Sequence, residues 1–165
     1  MSRITGPNNM LRLALYQPDI PQNTGTILRL AACLGVGVDI IEPCGFPWSL
    51  ASFKRAGMDY VEHADMTRHL DWQAFRASLR GRKLTLLTTK ARTPYWTHRF
   101  NGDETILLGR ESQGVPEEVH SSVDNRLLIP VRTETRSLNV ALAAAMVVGE
   151  ALRQINGFPP SSGSA

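Results

Sequence analysis

Short apolar runs alternate with amphipathic segments along most of the chain. The runs predict strands at Leu11–Tyr16, Val36–Ile41, Tyr60–His63, Leu84–Thr89, Thr105–Gly109 and Leu127–Val131. Several runs are apolar at consecutive positions, which is typical of strands buried on both faces. The pattern therefore predicts an α/β domain, with a mostly parallel sheet and helices on both of its faces.

The segments between the strands predict helices with recognisable ends. The expected caps or first residues are Asn23 or Thr24, Ser49, Asp71, Pro116 and Ser137, and the expected stops are Gly35, Gly57 and Gly157. The last predicted helix runs from Ser137 to about Ile155 and is apolar nearly all round. Such a helix must be buried on more than one side, and in a small chain a homodimer interface is a natural cover.

Composition limits the class of protein. The chain has 165 residues, of which 42% are hydrophobic and 20% charged, so disorder and coiled coil are poor interpretations. We expect one domain over 10–157, with flexible tails at 1–9 and 158–165. The formal net charge of +3 permits a nucleic-acid partner without requiring one.

Few residues indicate a metal, a disulfide or a membrane. Cys33 and Cys44 stand far from any CxxC pattern, which favours a reducing, cytoplasmic compartment, and Cys33 is expected to be a small buried hydrophobe. The four histidines lack metal-ligand spacing, so no metal is expected. No apolar run reaches the roughly 18 residues that a membrane span requires.

Common nucleotide and hydrolase motifs are missing. The first predicted strand–helix turn, at 17–25, has one glycine and two prolines instead of GxGxxG. The chain also lacks GxxxxGK[ST] and GxSxG. These absences disfavour a dinucleotide, a P-loop nucleotide and a hydrolase elbow.

Three polar segments follow predicted strands, at the ends where parallel sheets bind ligands. At 23–29 a helix start offers backbone N–H groups to an anion, and Arg29 is near enough to reach a phosphate there. At 108–116 Gly109 permits close approach of a ligand, and Glu111 can orient a polar group. At 128–140 a charged loop leads to a helix start. Each segment also has a plain structural interpretation, as a capped helix or an ordinary loop.

Cations and aromatic residues are mixed at 90–99. Cations neutralise phosphates and aromatic rings stack on unpaired bases, so the segment is typical of an RNA-binding surface. A solvated loop with its rings in the core is the alternative. The candidate RNA contacts, besides Arg29, are Lys90, Arg92, Arg132 and Arg136.

The order of the motifs resembles the SPOUT class of RNA methyltransferases. Within it, the closest likeness is to the TrmL-type tRNA 2′-O-methyltransferases that act on the wobble nucleotide. The motifs are NTGxxxR at 23–29, LGRExxGxP at 108–116 and IPxxxxxxSLN at 129–139. Shorter matches are IIEPxGF at 40–46, KRAGxDY at 54–60 and LTTK at 87–90. The likeness covers about residues 11–156.

The resemblance implies properties that periodicity cannot predict. It implies a C-terminal trefoil knot, a homodimer, a tRNA substrate methylated on cytidine or uridine, and S-adenosylmethionine, released as S-adenosylhomocysteine. The implied cofactor contacts are Leu87, Gly109, Ile129, Ser137 and Leu138. The implied polar site residues are Asn23, Arg29, Glu111 and Asn139. Arginine keeps its proton in proteins and is a poor base, so we expect Arg29 to act as a fixed positive charge.

Several alternatives remain at this point. The same chemistry on another tRNA position or on ribosomal RNA is the nearest one. A non-catalytic RNA-binding dimer is a second, which Asn23, Arg29, Glu111 and Ser137 argue against. A methyltransferase for a small molecule or a protein is a third.

Overall fold

Seven parallel strands form one sheet in the part of the chain that the structure describes. The computed structural model describes residues 11–49, 51, 53 and 64–161. The strands are β1 Arg12–Tyr16, β2 Gly37–Ile41, β3 Met66–His69, β4 Leu84–Leu87, β5 Thr93–Pro94, β6 Thr105–Leu108 and β7 Asn125–Leu128. Their order across the sheet is β3-β2-β1-β6-β4-β7-β5. Every pairing is parallel, as predicted.

Helices cover both faces of this sheet. They are α1 Pro21–Leu34, α2 Trp72–Ser78, α3 Glu117–Ser122 and α4 Val140–Ile155, with a 3-10 turn at Tyr95–Thr97. On one face, α1 and α4 pack against each other and against a core that includes Leu13, Ile40 and Val147. On the other face, α2 and α3 enclose a smaller core that includes Phe75 and Val119. The predicted α/β class is therefore confirmed.

Several predicted helix ends are confirmed, and two are wrong. Asp71 caps α2 by accepting a hydrogen bond from the N–H of Ala74 at 2.8 Å. The first helix begins at Pro21, ahead of the expected cap at Asn23 or Thr24, because proline suits the first helical turn. Ser137 does not cap the last helix.

The last helix begins three residues later than predicted. The side-chain oxygen of Asn139 accepts hydrogen bonds from the N–H groups of Ala141 at 2.8 Å and Leu142 at 3.3 Å. These bonds satisfy two of the backbone donors that a helix start leaves open. Ser137 therefore lies in the loop before α4.

Four strands differ from the prediction. Strand β3 at Met66–His69 was not predicted, and β4 ends at Leu87, two residues before the predicted end at Thr89. Strand β7 lies earlier than the predicted Leu127–Val131, because Pro130 has no N–H for a ladder. The sequence pattern missed β5, which is only two residues long. The predicted helix ending at Gly57 and the predicted strand at Tyr60–His63 fall largely or wholly outside the described residues.

A buried carboxylate joins β4 to the segment that precedes β6. Glu104 is 1% exposed, and its Oε1 accepts hydrogen bonds from Thr85 Oγ1 at 2.6 Å and pairs with His98 Nε2 at 2.7 Å. Its second oxygen accepts from the N–H of Asn101 at 3.3 Å. A carboxylate this deep is tolerated because its oxygens are satisfied.

Candidate active site

A cleft of about 520 Å³ opens at the carboxyl edge of the sheet. Three loops form most of its wall, following β4 (87–90), β6 (108–115) and β7 (129–140), and the start of α1 completes it. Its volume lies in the range that holds a drug-sized ligand or cofactor. The location is the one that parallel sheets commonly use for ligands.

The loop after β6 is held in a tight turn by its two glycines. Arg110 and Gly114 exchange backbone hydrogen bonds of 3.1 Å and 2.9 Å. Gly114 has φ +63°, and a Cβ on Gly109 would lie 2.8 Å from the Cα of Gly114. Both positions therefore need glycine, one for its conformation and the other for close packing.

A chain of polar contacts crosses the cleft between the loops. The Asn139 side-chain N–H₂ donates to Asn23 Oδ1 at 3.0 Å. The Asn23 N–H₂ donates in turn to Glu111 Oε1 at 3.4 Å, and the backbone N–H of Asp19 donates to Glu111 Oε2 at 3.1 Å. Residues from α1, the β6 loop and the α4 cap are thus fixed relative to one another.

Burial and a neighbouring carboxyl shift the pKa values of the two acidic side chains here, Glu111 and Asp19. Burial, together with the side chain of Asp19, raises the pKa of Glu111. The interaction with Glu111, followed by a hydrogen bond from Ser112, lowers the pKa of Asp19. The two carboxyl groups therefore shift in opposite directions, and Glu111 is the one that is more easily protonated.

Most of the predicted site residues line this one cleft. All five residues expected to contact the cofactor are in its wall, and so are four of the other predicted residues: Leu87, Gly109, Ile129, Ser137 and Leu138, with Asn23, Glu111, Asn139 and Lys90. The structure thus brings together residues from four separate parts of the sequence. Their roles remain predictions.

The other predicted cations do not line the cleft. Arg29, Arg92, Arg132 and Arg136 are all exposed. Arg29 lies about 9 Å further along α1 than Asn23 and on a different side of the helix. Arg132 pairs with Glu134 at 3.4 Å, an exposed contact of small energetic value.

The sequence analysis did not single out Arg110 or His120, which both line the cleft. Arg110 lies over the ring of Tyr16, 5.4 Å from its centroid, and donates to Gln17 Oε1 at 3.2 Å. Arg110 Nε and His120 Nε2 are buried without a hydrogen-bond partner among the described residues. Arg110 stands inside the motif LGRExxGxP, which was a usable signal, whereas nothing in the sequence singled out His120.

The described residues contain neither a metal-binding cluster nor a helix that could span a membrane. Over 11–49, 51, 53 and 64–161, no group of three or more His, Cys, Asp or Glu side chains is arranged to hold a metal ion. No helix in that part of the chain is long and apolar enough to cross a membrane.

Comparison with known proteins defines the class. Residues 10–149 match the SpoU rRNA Methylase family, and the chain belongs to that family. A protein from Beijerinckia indica named tRNA (cytidine(34)-2'-O)-methyltransferase is 61% identical over 145 residues, covering 87% of this chain and 91% of its own. Its relationship to this chain is close along nearly the whole length of both.

Two solved structures share the fold. One, described as giving structural insights into the 2-OH methylation of C/U34 on tRNA, is 40% identical with a TM-score of 0.85 and covers 91% of this chain and 99% of its own. The other is an AdoMet-bound rRNA methyltransferase from Sinorhizobium meliloti, 26% identical with a TM-score of 0.78. It covers 87% of this chain and 56% of its own.

Proposed function

We propose that this chain is an S-adenosylmethionine-dependent tRNA 2′-O-methyltransferase that acts on cytidine or uridine at the wobble nucleotide, position 34. The observation that carries the proposal is the convergence of the three loops and the start of α1 on one cleft. The names of its close relatives support tRNA position 34 over another tRNA position or ribosomal RNA. The bacterial relatives also support a cytoplasmic location.

The cleft residues fit the cofactor. Leu87, Ile129 and Leu138 would supply apolar surface for the cofactor, and the loop held by Gly109 would supply backbone hydrogen-bonding groups. The buried, unpartnered Nε2 of His120 would be satisfied by a ligand that offers it a hydrogen bond. Leu87, Gly109, Ile129, Ser137 and Leu138 would hold the cofactor, which supplies a methyl group activated by a sulfonium for transfer to the ribose oxygen.

The polar residues of the cleft position groups for the reaction and do not themselves form or break bonds. Glu111 and Asn139 hold the amide of Asn23 from opposite sides, so its orientation is fixed before RNA arrives. Fixed polar groups around a reacting hydroxyl supply much of the rate of a transfer reaction.

We assign Arg29 the role of a fixed positive charge for the RNA. Its exposed guanidinium lies on α1 outside the cleft wall, where it contacts a phosphate of the bound RNA, and a phosphate oxygen takes the proton of the 2′-hydroxyl. Arg29→Ala is expected to lower the single-turnover methylation rate by about 100-fold or more while leaving S-adenosylmethionine affinity unchanged. An unchanged single-turnover rate would remove Arg29 from the mechanism.

The proposal also includes a C-terminal half in which the chain passes through one of its own loops. The connection 88–104, which joins β4 to β6, contains β5. Strand β7 lies in the sheet between β4 and β5, so it is enclosed by this connection. The chain reaches β7 from α3 on one face of the sheet and leaves it for α4 on the other. On that second face, Gln154 of α4 bonds to the carbonyl of His98 at 2.9 Å and to the N–H of Phe100 at 2.8 Å. These contacts support a trefoil knot.

We also propose that two copies of the chain form a homodimer through α4. Leu142 and Met146 lie one turn apart on α4 and are 61% and 42% exposed. Ile20 and Leu138, 40% and 39% exposed, border the cleft. An apolar patch of this kind marks an interaction site, and a second copy of the same helix provides a matching surface. The partner protomer would then border the cleft and shape the RNA groove.

Methylation of purified tRNA tests the function directly. The protein, S-adenosylmethionine and tRNA from cells that lack the gene are incubated, and the nucleosides are separated by mass spectrometry. We expect 2′-O-methylcytidine or 2′-O-methyluridine, mapped to position 34 by nuclease fragments. A methyl group at another position would refute the assignment of the nucleotide, and no saturable binding of S-adenosylmethionine by calorimetry would refute the enzyme.

A further inference from the structure

A second cleft, of about 450 Å³, lies at the same edge of the sheet, beyond the ends of β2 and β3. Its walls are Glu42, Pro43, Cys44, Phe46, Trp48, Arg68 and Leu70. Leu70 is 79% exposed although it is a large apolar residue, and Arg68 keeps 41% of its side chain exposed. This combination of an apolar wall and a cation is unused by the chemistry proposed above.

The guanidinium of Arg68 is fixed as a flat surface. It lies over the ring of Trp48, with its central carbon 4.9 Å from the ring centroid. A short ion pair with Glu42 holds its edge. Trp48 itself is anchored by Phe46, stacked at 6.4 Å, and by Phe53, 5.0 Å away and 3% exposed. A guanidinium held at one face and one edge has its other face available for stacking.

The second cleft is joined to the first by short, direct contacts. Gly45 donates its N–H to the carbonyl of Pro18 at 2.9 Å, and the next residue, Asp19, donates its own N–H to Glu111 in the first cleft. Strands β2 and β3 are the second and third neighbours of β6, and neighbouring strands are about 4.8 Å apart. The two clefts are therefore separated by a span that a few nucleotides of single-stranded RNA can cover.

We propose that this second cleft binds an unpaired base of the substrate RNA, a few nucleotides from the methylated ribose, by stacking it on the Arg68 guanidinium. The inference rests on the proposed function and adds a recognition subsite to it. Leu70 and Pro43 border the base, and Glu42 lies where it can accept from an exocyclic amine. Unpaired bases are recognised in this way by arginine planes and apolar side chains.

The chemistry of the cleft favours a base over a phosphate. Glu42 neutralises the charge of Arg68, and a carboxylate beside the guanidinium repels a phosphate. The thiol of Cys44 is protonated at neutral pH, because burial and the neighbouring Glu42 raise its pKa to about 11. The cleft therefore offers a planar, nearly neutral surface with polar groups at one edge.

A double-substitution cycle between protein and RNA tests the subsite. The substrates are an anticodon stem–loop RNA and a set of variants, each with one abasic loop nucleotide other than the target. For wild-type protein, we expect one abasic position to raise KM between about 5- and 100-fold with little change in kcat. Arg68→Ala should raise KM by a similar factor on the intact RNA and show no further rise with that abasic RNA.

Two further variants make the result specific. Arg68→Lys keeps the charge but loses the plane, so it is expected to behave like Arg68→Ala, and a wild-type KM would overturn the stacking proposal. Arg76→Ala is the matched control, because Arg76 also lies over a tryptophan, 5.8 Å from the Trp72 centroid, but lines neither cleft. It should leave the abasic profile unchanged.

The outcomes separate this inference from the proposed function. If the factor by which Arg68→Ala raises KM multiplies the factor of every abasic substitution independently, the subsite is wrong while methylation of position 34 stands. If wild-type protein methylates no stem–loop or full-length tRNA, the proposed function fails first. Calorimetry with S-adenosylmethionine should give the same affinity for Arg68→Ala as for wild type, and a loss there would also overturn the subsite.

Discussion

The tight turn after β6 makes Gly109→Ala an informative substitution. An added Cβ would lie 2.8 Å from the Cα, 2.9 Å from the carbonyl carbon of Gly114 and 3.2 Å from the N of Val115. Non-bonded carbon atoms prefer about 3.5–4.0 Å, so the overlap is severe. All three atoms belong to the backbone, so no side-chain rotation relieves the clash.

The cost can be estimated from the contacts that must give way. To relieve the clash, Gly114 must move away from residue 109. This movement lengthens the two hydrogen bonds, 3.1 Å and 2.9 Å, that Gly114 exchanges with Arg110. Each backbone hydrogen bond contributes about 0.5–1.5 kcal/mol, so the loss is about 1–3 kcal/mol. The loss appears as reduced stability if the turn is retained under strain, or as reduced cofactor affinity, by about 5- to 150-fold, if the turn opens.

Two measurements therefore have to be made together. Urea unfolding gives the change in free energy of unfolding for Gly109→Ala, and calorimetry gives its dissociation constant for S-adenosylmethionine. The control is Gly114→Ala, whose added Cβ meets nothing within 4 Å but whose φ of +63° costs about 1–2 kcal/mol in stability. Gly109→Ala protein with both wild-type stability and wild-type affinity would refute the reasoning.

Three more predictions concern the dimer, the buried carboxylate and a thiol. Met146→Glu, which puts a charge on the exposed apolar stripe of α4, should raise the dimer dissociation constant at least about 100-fold in sedimentation equilibrium, and an unchanged value would exclude this face. Glu104→Gln should lower the free energy of unfolding in urea by about 1–3 kcal/mol, because the amide N–H₂ cannot accept and one buried partner of Glu104 loses its hydrogen bond. Exposed Asp103→Asn should change it by less than about 0.5 kcal/mol. Cys44 should resist alkylation at pH 8 while exposed Cys33 reacts, and its rate should rise about tenfold per pH unit toward its pKa of about 11, because the thiolate is the reactive form. Equal labelling at pH 8, read by peptide mass spectrometry, would contradict the burial of Cys44.

Local chemistry explains which parts of the fold the sequence predicts well. The cap at Asp71 and the stop at Gly35 depend on one or two residues and are confirmed. Cys33 was expected to be buried and is exposed, because it lies off the stripe that Ile27, Leu28 and Ala31 bury. A helix start can be moved by any residue that supplies a better acceptor. For this reason Asn139 caps α4, and Ser137 does not.

Topology explains what the sequence did not predict. Strand β5 is two residues long and exists because β7 offers it an edge, so no periodicity marks it. The contact between Asn23 and Asn139 joins residues 116 positions apart, and that between Asp19 and Glu111 joins residues 92 apart. Their pairing depends on the order of strands in the sheet, which the alternation of helices and strands leaves open.

The N-cap of α4 ties the candidate site to the proposed dimer. Asn139 uses its oxygen to hold the first turn of α4 and its N–H₂ group to hold Asn23 in the cleft. The same helix carries Leu142 and Met146 toward the proposed partner. Any shift of α4 on dimerisation must therefore move Asn139, and with it the amide that Glu111 also holds. The RNA site is then expected to reach its active geometry only when α4 is packed against a second copy.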